Sequence, residues 1–300
     1  MSVTVRVPAK VNVQLAVGAA RPDGFHDLAN VFLAVSLFDE VTATAADELT
    51  VTCAGPDADQ VPLDRTNLAA RAAGILAERA GIAPAVHLHI AKNIPVAGGM
   101  AGGSADGAAA LLACDALWEL GTPRAELLDI CAELGSDVPF SLVGGAALGT
   151  GRGELLTPVD AGAFHWVFAV ADGGLSTPAV FREFDRLTAG TRIPEPEASP
   201  ALLAALATGD PDALAPALAN GLQAAALSLR PALAATLAAG TEAGALAALV
   251  SGSGPTTAFL VRDEEAAAKV AAALEGSGTC RATRVASSPA PGATILPTTP

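Results

Sequence analysis

The chain has 300 residues and a formal net charge of −14. So acidic a chain excludes nucleic acid and anionic membrane as partners bound through its overall field, and its length allows one large domain or two medium ones. Hydrophobic residues make up 51%, but much of that is Ala, aromatics are 4% and Tyr is absent, so composition points to no activity.

The N-terminus alternates at Val3, Val5 and Val7 and carries Arg6 and Lys10. It reads as a strand and not a signal peptide. After Pro8 the alternation resumes as a second strand, on which Lys10 and Asn12 share a face. Taken alone, that face is an ordinary solvated one. Arg21-Pro22-Asp23-Gly24 is a turn signal that presents Phe25 beside His26. An aromatic next to a His can stack on and hydrogen-bond a heterocyclic base; a Phe folded onto the core beside a surface His is the plainer reading. Val31–Leu37 is a buried strand, residues 40–52 a further strand region, and 67–80 a helix with Thr66 as N-cap and Gly81 as stop. Val86–Ile90 alternates as a strand and leads to Lys92, one of three lysines with Lys10 and Lys269.

Ile94-Pro95-Val96-Ala97-Gly98-Gly99-Met100-Ala101-Gly102-Gly103-Ser104 follows, and then an Ala/Leu-rich helix from Ala105 to Leu117. Strand, glycine loop and helix form an arrangement for binding anions. Glycine admits positive φ and close approach, and the first helical N–H groups lack intrahelical partners and carry the positive end of the dipole. Ser104 at the junction is placed to cap the helix, touch a phosphate or ligate Mg²⁺. The loop matches neither the Walker A pattern, which needs Lys after the last Gly, nor the Rossmann spacing. A turn that only packs a helix tightly on a sheet is the alternative.

Thr122-Pro123 opens a helix, with Thr122 as N-cap, that runs to Leu134 and stops at Gly135. Asp137 then falls on a short connection before an apolar stretch, as a turn-former or a fixed base. Residues 141–155 are Gly-rich around Arg152, and Phe164–Ala171 is a strand near which the domain changes. A loop from Gly173 leads to a short helix with Phe181, and 189–200 is a surface loop. Residues 201–249 read as helices broken at Gly209-Asp210-Pro211, Pro231 and Gly240, the last ending in Leu246–Val250. A second glycine loop, Ser251-Gly252-Ser253-Gly254-Pro255-Thr256, precedes a strand at 257–261, a helix at 264–275 and a strand at 281–286. The expected class is α+β, with domains at 1–157 and 158–286 and a flexible tail at 287–300. Cys53, Cys114, Cys131 and Cys280 are scattered, which implies no disulfide framework or metal site and suits a reducing, cytoplasmic setting. No uncharged apolar run reaches membrane-span length.

Pro8-Ala9-Lys10-Val11-Asn12-Val13, the loop from Ile94 to Asp106, Leu134-Gly135-Ser136-Asp137-Val138-Pro139-Phe140 and Ser251-Gly252-Ser253-Gly254-Pro255-Thr256, in that order, resemble the GHMP small-molecule kinases. The likeness spans residues 6 to 286. Arg21 to Leu28 narrows it to members that act on a cytidine diphosphate-linked methylerythritol. The resemblance implies a two-domain GHMP kinase fold with the active site in the interdomain cleft, ATP and Mg²⁺ as cofactors, and phosphorylation of the substrate's 2-hydroxyl. It implies Asp137 as the base and Lys10 as its partner. Pro95, Ala97 and Gly98 to Ser104 (Met100, Ala101 and Gly102 included) would cradle ATP phosphates, with Asn67 and Lys92 at nucleotide-contacting positions. Asn12, Phe25, His26 and Phe181 match positions that hold the substrate, and Gly252, Ser253 and Gly254 close the cleft. A carboxylate beside an ammonium is a weak base, so orientation of the hydroxyl would be its main contribution. Phe25 stands where the family often has Tyr, and Gly102-Gly103-Ser104-Ala105 stands where many members have a second Ser, which leaves the Mg²⁺ ligand open, Ser104 being the candidate. A kinase for homoserine, mevalonate or a sugar, and a non-catalytic nucleotide-binding regulator, are the alternatives. Monomer and homodimer are both open.

Overall fold

Pro8 does not divide the N-terminal strand. The computed structural model of the protein describes residues 1–297, and in it β1 runs unbroken over Ser2–Ala20. Pairing with β2 (His26–Ala45) shifts register between Pro8 and Ala9, so the missing proline N–H falls at a ladder irregularity that does not need it. The runs at 31–37 and 40–52 likewise do not form two strands at those limits. The first lies wholly within β2, which pairs with β1 from Ser2 opposite Thr44 to Ala20 opposite His26, and β3 is only Thr50–Ala54. Alternation on β1 puts Ala9 and Val11 on one face and Lys10 and Asn12 on the other; both faces are buried, and a second register shift between Asn12 and Gln14 then interrupts the alternation.

Helix α1 (Leu68–Ala80) is capped by Asn67, whose side chain accepts from the Ala69 N–H, and not by Thr66, whose N–H and hydroxyl are taken by Asp64. Strand β4 (Val86–Ala91) pairs with β2 and β3 and leads into the glycine loop and α2 (Gly102–Leu117). Helices α1 and α2 pack together over the sheet through small alanines, which allow close approach. Helix α3 (Arg124–Leu134) starts at Pro123 without a side-chain cap; Thr122 uses its own N–H on Asp115 instead of capping. Helix α4 (Val138–Val143), β5 (Ala146–Thr150) and β6 (Leu155–Pro158) complete the first unit.

The second sheet places Ala282–Ser288, Phe164–Val170, Thr257–Val261 and Ala247–Val250 side by side in that order. Strand β7 (Phe164–Val170) is followed by α5 (Thr177–Leu187), α6 (Pro200–Thr208), α7 (Pro211–Leu214), a two-residue β8 (Ala219–Asn220) that pairs with β1, α8 (Gln223–Leu229) and α9 (Leu233–Glu242). Gly240 does not break α9. It is the point where the ring of Phe259 lies against the helix, and a Cβ there would stand 2.2 Å from Phe259 Cε1. The helix expected to end in Leu246–Val250 is instead β9 (Ala247–Val250). Gly244, at φ +108°, ends the helical stretch, and the Ala-rich sequence hides the change. Strand β10 (Thr257–Val261), α10 (Glu264–Ser277) and β11 (Ala282–Ser288) follow.

Up to residue 297 the flexible tail expected at 287–300 is an ordered return to the first unit; residues 298–300 lie outside the described residues. Ser287 bonds Ser36, Ala290 bonds Ala34, and β12 (Thr294–Ile295) pairs with Val5 and Arg6 of β1. The largest hydrophobic cluster joins Val5, Leu33, Ala108 and Ile130 of the first unit to Trp166, Phe168 and Leu260 of the second. One core therefore fixes the cleft between the sheets. Among the described residues no helix is long and apolar enough to cross a membrane.

Gly240→Ala forces a methyl into Phe259. We expect a loss of about 1–3 kcal/mol, read as a lower urea midpoint at unchanged slope.

Candidate active site

The cleft between the units has a volume of about 650 Å³. Its wall brings together residues that lie far apart in the chain. Lys10 sits on the buried face of β1. Its Nζ donates to Asn12 Oδ1 at 2.6 Å and to the Gly99 carbonyl at 3.0 Å, and lies 3.7 Å from Asp137 Oδ2. Burial pushes the Lys10 ammonium down from its ordinary value, and the charge of Asp137 opposes that push. Asn12 is held in turn by donation of its amide to Asn30 Oδ1 at 2.6 Å. Asp137 occupies the N-cap position of α4 yet makes no capping bond, so its carboxylate is left to face the cleft.

The glycine loop forms the adjoining wall. Ala97, Gly99 and Ala101 adopt left-handed backbone at φ +51°, +75° and +61°, the kind of turn that points successive N–H groups to one side. The two alanines hold this conformation at a cost that the surrounding packing meets. Helix α2 begins here with no side-chain cap, so its first-turn N–H groups at Gly102, Gly103 and Ser104 stand at the cleft wall. That is the electrostatic requirement of a phosphate site.

The second glycine loop is the turn of the β9–β10 hairpin, and it closes on the first. Ser251 Oγ donates to the Gly99 carbonyl at 3.0 Å, beside the Lys10 bond to the same oxygen. A Cβ on Gly99 would lie 2.1 Å from the Ser251 carbonyl, so only glycine allows this approach. Asn220 braces the hairpin from behind by donating to the carbonyls of Val250 and Gly252.

At the opposite end lie Phe25, exposed at the turn before β2, His26 and Phe181. The His26 ring is 4.9 Å from Phe181 and 5.9 Å from Phe184, and its Nε2 is 2.8 Å from Asp185 Oδ1. Arg152 places its guanidinium 5.0 Å from the Phe25 centroid.

Of the residues singled out in the sequence, Lys10, Asn12, Phe25, His26, Ala97 to Gly99, Ala101 to Ser104, Asp137, Phe181 and Gly252 to Gly254 line this cleft. Asn67, Lys92, Pro95 and Met100 do not. Asn67 spends its amide on the α1 cap and the Pro62 carbonyl. Met100 is fully buried. Lys92 is buried between Asp39 and Asp106, 2.8 Å from the latter, and props the loop from beneath. Burial drives the Lys92 ammonium down, but the two carboxylates outweigh it and the net direction is up. Asn30, Arg152 and Asp185 were not picked out as site residues. Asn30 carried a signal as a polar residue at the edge of an apolar run, and Asp185 as the residue one helical turn after Phe181.

The fold and the cleft define a small-molecule kinase, and the chain belongs to the GHMP kinase family. It matches the GHMP kinases N terminal domain over residues 67–145 and the GHMP kinases C terminal over residues 202–279. Within that family it stands among the 4-diphosphocytidyl-2-C-methyl-D-erythritol kinases. It is 76% identical over 297 residues to the Streptomyces avermitilis enzyme of that name, covering 99% of this chain and 100% of that one. A crystal structure of a 4-(cytidine 5'-diphospho)-2C-methyl-D-erythritol kinase, 31% identical, superposes with TM-score 0.78 over 95% of this chain and 99% of its own. Homoserine kinase from Cytophaga hutchinsonii, at 21% identity and TM-score 0.74 over 98% of this chain and 97% of its own, shares the fold.

Lys92→Met leaves Asp39 and Asp106 buried without their cation. The expected loss is about 3–5 kcal/mol, measured by urea denaturation.

Proposed function

We propose that the chain transfers the γ-phosphoryl group of ATP to the 2-hydroxyl of 4-diphosphocytidyl-2-C-methyl-D-erythritol, releasing ADP. The observation that carries this reading is the juxtaposition, in one cleft, of an uncapped helix N-terminus, a Lys10–Asp137 pair and an aromatic end with a histidine. The first suits polyphosphate, the second an alcohol that must lose a proton, and the third a heterocyclic base. Residues 1–157 and 158–286 are taken as the two domains that frame it.

Phosphoryl transfer is mostly positioning and charge stabilisation. The N–H groups of Gly102, Gly103 and Ser104 would hold ATP phosphates. Asp137 would accept the substrate hydroxyl's hydrogen bond and set its oxygen in line. Lys10, already bound to Asn12 and the Gly99 carbonyl, has its ammonium fixed beside that oxygen and would steady the developing charge. Phe25 and Phe181 would stack on the cytosine and His26 would hydrogen-bond its edge. Arg152, at the same end, is a cation suited to the substrate's diphosphate.

Mg²⁺ fits the donors present. The Ser104 hydroxyl and Asp137 carboxylate are hard oxygen donors at the cleft wall, and Mg²⁺ characteristically takes one or two protein oxygens and fills its sphere with phosphates and water. Among the described residues no group of three or more His, Cys, Asp or Glu could hold a metal ion. When bound, Mg²⁺ supplies charge neutralisation on the phosphates.

ADP release with Mg²⁺ and ATP, measured on diphosphocytidyl methylerythritol, homoserine, mevalonate and galactose, tests the reading. Turnover on the first alone is expected; turnover on another substrate, or ATP binding without turnover, would overturn it. Asp137→Asn should lower kcat by about 10²–10⁴-fold with KM for ATP little changed.

A further inference from the structure

Arg281 and Asp57 join the two units outside the cleft wall. Arg281 stands just before β11 of the second unit, and Asp57 just before a one-turn helix at Ala58–Gln60 of the first. The guanidinium grips the carboxylate with both arms of its fork, Nη1 to Oδ1 at 2.5 Å and Nη2 to Oδ2 at 2.9 Å. Asp57 is buried. Its segment is pressed on the strand end that leads to the glycine loop. The Lys92 N–H donates to the Ala54 carbonyl at 2.7 Å, and a Cβ on Gly55 would stand 2.0 Å from the Lys92 carbonyl oxygen. The Arg281 hydrogen bond holds the Asp57 carboxyl below its ordinary range, and the Val96 N–H, one residue before Ala97, acts in the same direction.

These contacts form a closed ring that crosses between the units twice. The Arg281 N–H donates to the Val170 carbonyl, at the end of β7, at 2.7 Å. A few residues on, Gly174 lies so close to the glycine loop that a Cβ there would be 2.9 Å from the Ala97 Cβ. Ala97 follows Val96, Val96 faces Asp57, and Asp57 returns to Arg281. Ala97 is a non-glycine residue at φ +51°, a conformation that persists only where its surroundings fix it. The ring supplies that fixing from both units, and the Arg281–Asp57 pair is its charged link. We propose that Arg281 is a positioning residue for the nucleotide. By gripping Asp57 it holds Val96 and Ala97 against the second unit, and so keeps the N–H groups of the glycine loop aimed at the phosphates. The inference rests on the reading of that loop as the site of the ATP phosphates.

Two measurements test it: calorimetric binding of ATP with Mg²⁺, and steady-state kinetics on diphosphocytidyl methylerythritol. The proteins are the natural chain, Arg281→Gln, Arg281→Lys, Asp57→Asn and the double variant Asp57→Asn/Arg281→Gln. We expect Arg281→Gln to raise Kd and KM for ATP about two- to thirtyfold, with kcat at saturating ATP and KM for the cytidylated substrate little changed. Arg281→Lys keeps the charge and loses the fork, so it should fall between the two; it carries the test if the glutamine variant does not fold. The double variant should bind ATP no more weakly than Arg281→Gln, because both changes cut one link. A lower urea midpoint with an unchanged Kd for ATP, in whichever Arg281 variant folds, overturns the proposal and leaves the pair a structural tie. A loss that falls on kcat, or equally on KM for both substrates, overturns it as well, and so do additive losses in the double variant. A natural protein that neither binds nor uses ATP overturns instead the reading of the loop as the phosphate site.

Discussion

The carbonyl oxygen of Gly99 is the point on which the cleft depends. It accepts from Lys10 Nζ of the first strand and from Ser251 Oγ of the hairpin in the second unit. One backbone atom thus ties the phosphate-facing loop, the cation and the opposite wall together. The tie requires the loop to pass so close to Ser251 that no side chain fits at position 99. Lys10 is costly to bury, and three fixed oxygen groups repay that cost: the amide of Asn12, this carbonyl and the carboxylate of Asp137. The result is an ammonium that needs no rearrangement when charge develops beside it.

Charge is scarce and placed in so acidic a chain. The overall field repels anions, and the local donors that border the cleft are the uncapped N–H groups of α2, Lys10 and Arg152. Lys92 serves the same end indirectly. Asp39 accepts the backbone N–H groups of Asn93 and Ile94 at 2.6 and 2.8 Å while pairing with Lys92, which also meets Asp106 on α2. A buried cation between two carboxylates thereby joins the strand before the loop to the helix after it. Asp106 shows the cost: burial, opposed by Lys92, lifts its carboxyl to about 8, and its Oδ1 has no hydrogen-bond partner.

Much of this was legible in the sequence because the signals were local. Glycine spacing before an Ala-rich helix marked the loop that borders the cleft, and strand period alone put Lys10 and Asn12 on one face. What failed were features set by distant packing. Pro8 reads as a break, but a bulge absorbs it. Ala247–Val250 reads as helix because alanine dominates, yet pairing with β10 makes it a strand. The C-terminal segment reads as loose by composition and is ordered, through residue 297, by main-chain bonds to β1 and β2. The family resemblance puts Lys92 at a nucleotide-contacting position; its two carboxylate partners lie 53 residues before it and 14 after it, and sequence spacing could not reveal them.

The two ends of the cleft are built by different means, and this separates what the fold shares from what it specialises. One end is backbone: glycine loop, helix amides and a hairpin, with geometry that side-chain changes alter little. The aromatic end is side chain on side chain, with Phe25 and His26 from the first unit set against Phe181, Phe184 and Asp185 from one helix of the second. Homoserine kinase from Cytophaga hutchinsonii keeps the architecture at 21% identity. The aromatic end instead depends on a few side chains held in register across two units. A smaller apolar cluster supplies that register: Val180 and Phe184 of α5 pack with Leu15 and Val17 of β1 and Leu28 of β2. Apolar packing thus holds the aromatic end of the cleft in register as well as stabilising the fold.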